Sequence, residues 1–190
     1  MLIAENSLKL VEETKASLQQ AFKMKDLGEL KYFFGIEFAR SKQGITMHQR
    51  KYAMELIPEV GLTAAKPALI PIDISMKLTS KQYNDHLGKN TKIEENALTD
   101  QTTYQRLIGK LLYLTVTRPD IAFGFHTLSQ FLQRPKKSHM EAALRIVRYV
   151  KNQPGQGIFL SSNYSNNITT YCDANWAACT HKEICYWFLN

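Results

Sequence analysis

The sequence predicts an α+β fold, and three observations carry that prediction. Amphipathic helical periodicity marks one stretch near the start, another from Gln49 to before Gly61, and a cluster between about residues 104 and 150. Runs rich in aromatic and β-branched residues lie apart from them, at residues 30–48 and 158–172. Helices and strands are thus segregated along the chain, the order expected of an α+β architecture.

Ser7 to Phe22 places Leu8, Val11, Leu18 and Phe22 at helix-compatible intervals. Ser7 is available as N-cap, and Glu12 and Glu13 fall in the early turns, where the macrodipole favours acids. Leu30 to Arg40 reads as a strand, and Gln43-Gly44 as a short turn into Ile45–His48, which together give a β-hairpin. From Gln49 the pattern is helical again, with Tyr52, Ala53, Leu56 and Ile57 on one face and an end before Gly61. Residues 63–100 hold Pro67 and Pro71 among scattered polar residues with no sustained period; a connector of this length wraps over the surface or is partly disordered.

Beyond the connector, Tyr104, Leu107, Ile108, Leu111, Leu112 and Thr115 form one helical stripe. Pro119, at an N1 position, opens a second helix carrying Ile121, Ala122, Phe125, Leu128 and Leu132. Ser138-x-x-Glu141 is a capping box ahead of Ala142, Leu144, Ile146, Val147 and Val150. The chain then crosses Pro154-Gly155-Gln156-Gly157 into two strand-like runs, Ile158–Leu160 and Ile168–Cys172, separated by a Ser/Asn turn.

Of the 190 residues, 44% are apolar and 22% charged, ordinary usage for a globular protein, so wholesale disorder is not indicated. The longest apolar stretches, such as Leu111–Val116, are far too short to span a bilayer, and no secretory signal is visible, so an intracellular protein without a membrane partner is expected. A net charge of +7 has two readings: attraction to polyanions, nucleic acid being the commonest, or a solvated basic surface. Cys172, Cys179 and Cys185 lack Cys-x-x-Cys spacing, so reduced thiols are expected in place of a zinc site or a disulfide framework.

Four blocks, in order, carry a resemblance to one family. They are Lys25-Asp26-Leu27-Gly28-Glu29-Leu30-Lys31-Tyr32-Phe33-Phe34-Gly35-Ile36-Glu37; Tyr104 to Leu114 followed by Thr117-Arg118-Pro119-Asp120-Ile121; Leu128-Ser129-Gln130-Phe131 through Pro135 and His139 to Arg145-x-x-Arg148-Tyr149-Val150-Lys151; and Tyr171-Cys172-Asp173-Ala174-Asn175-Trp176-Ala177. Together they resemble the reverse transcriptase of copia-type retrotransposons and the start of the ribonuclease H domain that follows it.

The resemblance implies a domain plan. Residues 1–50 would be the last part of a palm, with a helix and a primer-grip-like hairpin; residues 51–155 the thumb and connection helices, with a linker at about 63–100; residues 156–181 the first β-hairpin of a ribonuclease H-like domain. It also implies roles. The hairpin Tyr32, Phe33, Phe34, Gly35 and Ile36 would hold the primer 3′ end; its aromatics either stack on bases or pack as ordinary strand residues. Arg145, Arg148 and Lys151 recur at helical spacing near Arg134, Lys136 and Lys137, as a phosphate-binding stripe or a solvated helix face. Lys25 stands where related polymerases use a general acid to protonate pyrophosphate, and a plain surface lysine is its other reading. Asp173 matches the first of the ribonuclease H carboxylates that bind Mg2+, its other reading being a structural acid at a strand end. Arg118-Pro119-Asp120 reads as architecture, a helix start with Arg118 pairing a nearby acid.

The catalytic Tyr-Val-Asp-Asp turn of that family does not occur here, and Glu5 is the only acid before Glu12. After Cys179 the resemblance stops. Lys182 to Leu189 can be back-translated so that a shift of one nucleotide reads Arg-Arg-Ser-Val-Thr-Gly-Phe, which suggests a frameshifted tail over residues 182–190. The expectation is a decayed reading frame from a reverse transcriptase polyprotein, without polymerase or nuclease activity and needing no cofactor as it stands, whereas the intact family uses Mg2+. The alternative is a retained, non-catalytic module that binds nucleic acid, RNA/DNA hybrid or template-primer.

Overall fold

Helix formation in this chain follows the apolar stripes closely, because most of the core is made by helices facing one another. A computed structural model describes residues 7–26, 28–73, 78 and 100–163. In chain order these form α1 (Leu8–Ala21), β1 (Tyr32–Phe33), β2 (Ile36–Ser41), β3 (Gly44–His48), α2 (Arg50–Glu59) and α3 (Gln101–Thr115). A 3-10 turn (Pro119–Ile121), α4 (Ala122–Ser129), α5 (Lys137–Asn152) and β4 (Gly157–Ser161) follow. The fold is α+β, as the sequence predicts.

The core is the meeting of α2, α3, α4 and α5. Ala53, Leu56 and Ile57 of α2 pack with Tyr104, Leu107, Ile108, Leu111 and Leu114 of α3, Phe125 and Leu128 of α4, and Ala142, Ala143, Ile146, Val147 and Val150 of α5. Each large aliphatic or aromatic group removed from water here is worth about 1.5–3 kcal/mol. The Tyr104 hydroxyl is satisfied within this apolar mass by donating to the Leu128 carbonyl at 2.8 Å, and burial pushes its pKa well above the phenol range. Gly124 lets α4 approach α5 closely, since a Cβ there would sit 3.0 Å from Ile146 Cδ1.

Several local expectations change. On α3 the buried stripe includes Leu114, while Leu112 is 53% exposed. That helix starts earlier than its stripe suggests because Asp100 is an N-cap: its carboxylate accepts from the Thr103 amide at 3.0 Å and from the Thr103 hydroxyl. Those bonds lower its pKa. Helix α5 begins at Lys137, one residue ahead of the Ser138–Glu141 box, and the ring of His139 takes the capping role by accepting the Lys136 amide on Nδ1 at 3.1 Å. His139 is fully buried and stacked on Phe131, ring centres 3.9 Å apart. Ser7 occupies the N-cap position of α1 without a side-chain cap bond, and α1 has no buried residue, Leu8 and Phe22 being mostly exposed.

The strand region differs more. Leu30–Arg40 is not one strand: a two-residue turn at Phe34-Gly35 divides it, so β1 pairs with β2 as Tyr32↔Glu37 and Phe33↔Ile36. The second turn is Lys42-Gln43, with Gly44 already in β3 opposite Ser41. β4, at the start of the run expected to open a ribonuclease H-like domain, pairs antiparallel with β3 along Gly44↔Ser161 to His48↔Gly157. The result is one antiparallel sheet of order β1-β2-β3-β4. The second strand-like run, Ile168–Cys172, lies outside the described residues.

Helices and sheet are tied at a buried polar node. Arg118, 2% exposed, donates Nε and Nη2 to the Asp120 carboxylate at 2.9 and 2.7 Å, and Nη1 to the Gln153 carbonyl at 3.0 Å. Its guanidinium lies 5.4 Å from the ring centre of Tyr149. Next to it Thr117 donates to the Gln49 side-chain oxygen at 2.8 Å, in front of α2. The expected Arg118 ion pair is therefore present and architectural.

Removing Arg118 would leave a carboxylate and a carbonyl unpaired. Arg118→Ala should lower unfolding free energy by about 3 kcal/mol, read from urea denaturation. Partial burial alone would raise the Asp120 pKa, but hydrogen bonds from Arg118 and Tyr149 and the guanidinium charge hold it below 3.8. The stabilisation it brings is present above its unfolded pKa and fades as pH falls through the lower folded pKa. Denaturation midpoints should therefore drop below about pH 4, and Asp120→Asn should remove part of that slope.

Candidate functional site

The aromatic hairpin is the most unusual local structure in the chain. Phe34 has φ 45° and Gly35 φ 74°, so both central residues of the turn are left-handed, the type I′ geometry that matches strand twist. Glycine accepts that conformation freely; phenylalanine does not, and a bulky residue held there needs support from its surroundings. The strain is accompanied by exposure. Phe34 is 77% and Tyr32 58% exposed, while Phe33 is half-buried and meets the Phe34 ring edge-on at 4.5 Å. Of the aromatics named from the sequence, Tyr32 and Phe34 are presented to solvent, and Phe33, Gly35 and Ile36 form the half-buried base.

Support comes from a residue the sequence reading passed over. The Tyr113 hydroxyl, on α3, donates to the Phe34 carbonyl, and a Cβ on Gly35 would overlap that hydroxyl and lie 3.2 Å from Tyr113 Cζ. Tyr113 is in turn packed edge-on against Tyr52 of α2 at 4.7 Å, and Lys110 and Glu59 pair between the same two helices. The only sequence signal was an aromatic residue off the buried stripe of α3.

The basic residues do not form one surface. Lys137 is exposed on α5, and Arg145 and Arg148 are partly exposed, with Arg145 Nε buried and without a partner among the described residues. Arg134 is exposed in the turn before α5, and Lys136 is half-buried at its N-cap. Lys151 is different. Its ammonium donates to the carbonyls of Leu62, Thr63 and Ala65 at 3.0, 2.6 and 2.8 Å. All three of its protons are engaged in tying the segment after α2 to α5. The Ala68 amide, which donates to the Arg148 carbonyl at 3.1 Å, continues that seam. The start of the long connector thus lies on α5.

Lys25 is exposed in the irregular stretch after α1. Asp173 lies outside the described residues. Among the described residues no three His, Cys, Asp or Glu side chains gather to hold a metal. The acids have other tasks. Glu37 accepts the Lys51 amide at 3.0 Å and so caps α2 from the neighbouring sheet, and Asp26 holds Lys15 and the Gly28 amide at 2.9 and 2.8 Å. An open cleft of about 540 Å³ lies beside the Glu37 cap, lined by Glu37, His48, Arg50, Pro154 and Gly155. No helix among the described residues is long and apolar enough to cross a membrane.

The candidate site is thus an aromatic type I′ hairpin buttressed by the facing helices α2 and α3. The family described as reverse transcriptase (RNA-dependent DNA polymerase) matches residues 1–74. The chain is also similar to the Pol polyproteins of plant retrotransposons. It is 38% identical to the retrovirus-related Pol polyprotein from transposon RE1 of Arabidopsis thaliana, over 93% of this chain and 11% of that protein. With the polyprotein from transposon RE2 of the same plant it shares 36% identity, over 97% of this chain and 12% of that protein. An uncharacterized mitochondrial protein of Arabidopsis thaliana is 28% identical over 95% of this chain and 70% of its own length. The chain thus spans roughly a tenth of the Pol polyproteins it matches. No solved structure matches it.

The two kinds of lysine can be separated by stability alone. Lys151→Met should cost about 2 kcal/mol of unfolding free energy, because three carbonyls lose a charged donor. Lys137→Ala should change it by less than about 0.5 kcal/mol. Equal effects in urea denaturation would contradict the assignment.

Proposed function

We propose that this reverse transcriptase segment holds nucleic acid and performs no chemistry by itself. In this reading the exposed rings of Tyr32 and Phe34 meet the bases and sugars at a primer end, and Arg134, Lys137, Arg145 and Arg148 neutralise backbone phosphates. Lys136 contributes only its charge near the same helix end. Lys25, exposed after α1, is given no general-acid role in this reading.

The observation that carries the reading is Phe34, a large aromatic residue at φ 45° and 77% exposed. A strained, solvated ring at a turn has no folding advantage over a smaller residue, and it is placed to stack on a group outside the chain. The acids support the second half of the reading. Asp26, Glu37, Glu59, Asp100 and Asp120 each pair with a base or cap a backbone amide, which leaves them committed to structure instead of to a shared metal site.

The test is fluorescence anisotropy with a labelled DNA primer annealed to an RNA template, titrated with KCl. Four phosphate contacts should give a log–log salt slope of about −3 to −4, and Arg148→Ala should reduce its magnitude by about 0.9. Phe34→Ala should weaken binding by about 1–3 kcal/mol without changing the slope. Absence of binding at 50 mM salt, or an affinity indifferent to salt, would reject the proposal. Primer extension with Mg2+ present is expected to give no product.

A further inference from the structure

We infer that Tyr113 is the positioning residue of the aromatic hairpin: through its hydroxyl, helix α3 sets the direction in which the Phe34 turn points. The inference rests on the nucleic-acid reading for its functional meaning, though not for its structural content.

The β1–β2 ladder is too short to fix the turn on its own. It has two residue pairs, Tyr32↔Glu37 and Phe33↔Ile36, with one further bond from the Phe38 amide to the Lys31 carbonyl at 2.9 Å. β1 is thus a two-residue edge strand, held to the four-stranded sheet by these few bonds alone. The hairpin tip contains a phenylalanine in a left-handed conformation, which by itself favours opening. In a type I′ turn the carbonyl between the two central residues points away from the ladder, so no strand can hold it. Tyr113 does so, from a position 79 residues away in sequence.

The contact is specific in shape as well as in polarity. Gly35 is required both by its φ of 74° and because any Cβ would occupy the place of the Tyr113 hydroxyl. Tyr113 has little freedom to adjust, since Tyr52 closes on its ring at an interplanar angle of 83°. The Lys110–Glu59 pair fixes α3 against α2 a turn away. A shift of α3 relative to α2 would thus reach the peptide joining Phe34 to Gly35 directly, and the ring that the hairpin presents would turn with it.

Tyr113→Phe in the full chain is the test, because it removes one hydroxyl and keeps the ring packed on Tyr52. Amide hydrogen exchange without nucleic acid should quicken by about five-fold across residues 32–37, the size expected for one lost hydrogen bond, while amides of α3 keep their protection. Unchanged exchange in the hairpin overturns the inference. So does acceleration spread equally over α2, α3 and α5, since that marks a general packing role. In the anisotropy assay the same variant should bind the DNA–RNA primer–template about five-fold more weakly with an unaltered salt slope; unaltered affinity alongside quickened exchange also overturns it. If the unsubstituted chain fails to bind, the nucleic-acid reading is lost, and the exchange data decide by themselves whether Tyr113 holds the turn.

Discussion

The buried guanidinium of Arg118 is the constraint on which the rest of the structure depends. Arg118 follows α3 and precedes the 3-10 turn, and its bonds reach Asp120 on that turn and the Gln153 carbonyl at the end of α5. A charge 98% removed from water is tolerable only when its donors are paired with good geometry, and a bidentate carboxylate plus a helix-end carbonyl provide that. The consequence is positional. The end of α5 is fixed against the end of α3, and the chain leaving α5 then runs as β4 alongside β3. Thr117, the residue before Arg118, holds Gln49 at the junction between β3 and α2. A single corner of the chain thus registers the helices with the sheet.

How much of this was legible in the sequence depended on whether the signal was local. The helices α2, α3, α4 and α5 were visible because each buries its own stripe, and the stripes are read at 3.6-residue spacing without knowing the partner. The Arg118–Asp120 pair was also within reach, being two residues apart. The break at Phe34-Gly35 was hidden: Tyr32-Phe33-Phe34 has the composition of a strand interior, and only Gly35 hinted at a turn. The partner of β4 could not be read at all. Gly157–Ser161 carries the same strand signal whether it opens a new sheet or completes an old one, and the choice is made by where α5 ends in space.

The candidate site divides in the same way. The hairpin was identified from its residues, while the side chain that supports it was not, because a tyrosine off the buried stripe of a helix reads as a surface residue. Tyr113 is in fact half-buried, between Tyr52 and the Phe34 turn. Residues of this kind serve neither the core nor solvent but a third element. They are recognisable only when all three elements are in place.

Charge shows the same limit most sharply. Arg145, Arg148 and Lys151 look equivalent at steps of three, yet on a helix advancing 100° per residue each such step drifts by about 60°. Across two steps the third residue lies about 120° around the helix from the first. That rotation moves Lys151 from the outer face of α5 to its flank, where the carbonyls of Leu62, Thr63 and Ala65 converge. The excess of positive charge in this chain therefore overstates the charge available to a phosphate backbone. Part of it closes the helix-to-connector seam, and what remains outward on α5 is a shorter stripe of Lys137, Arg145 and Arg148, interrupted by Glu141. In the proposed function, a surface of that kind would hold a backbone without reading its sequence, and the exposed rings of the hairpin would supply the contacts to bases.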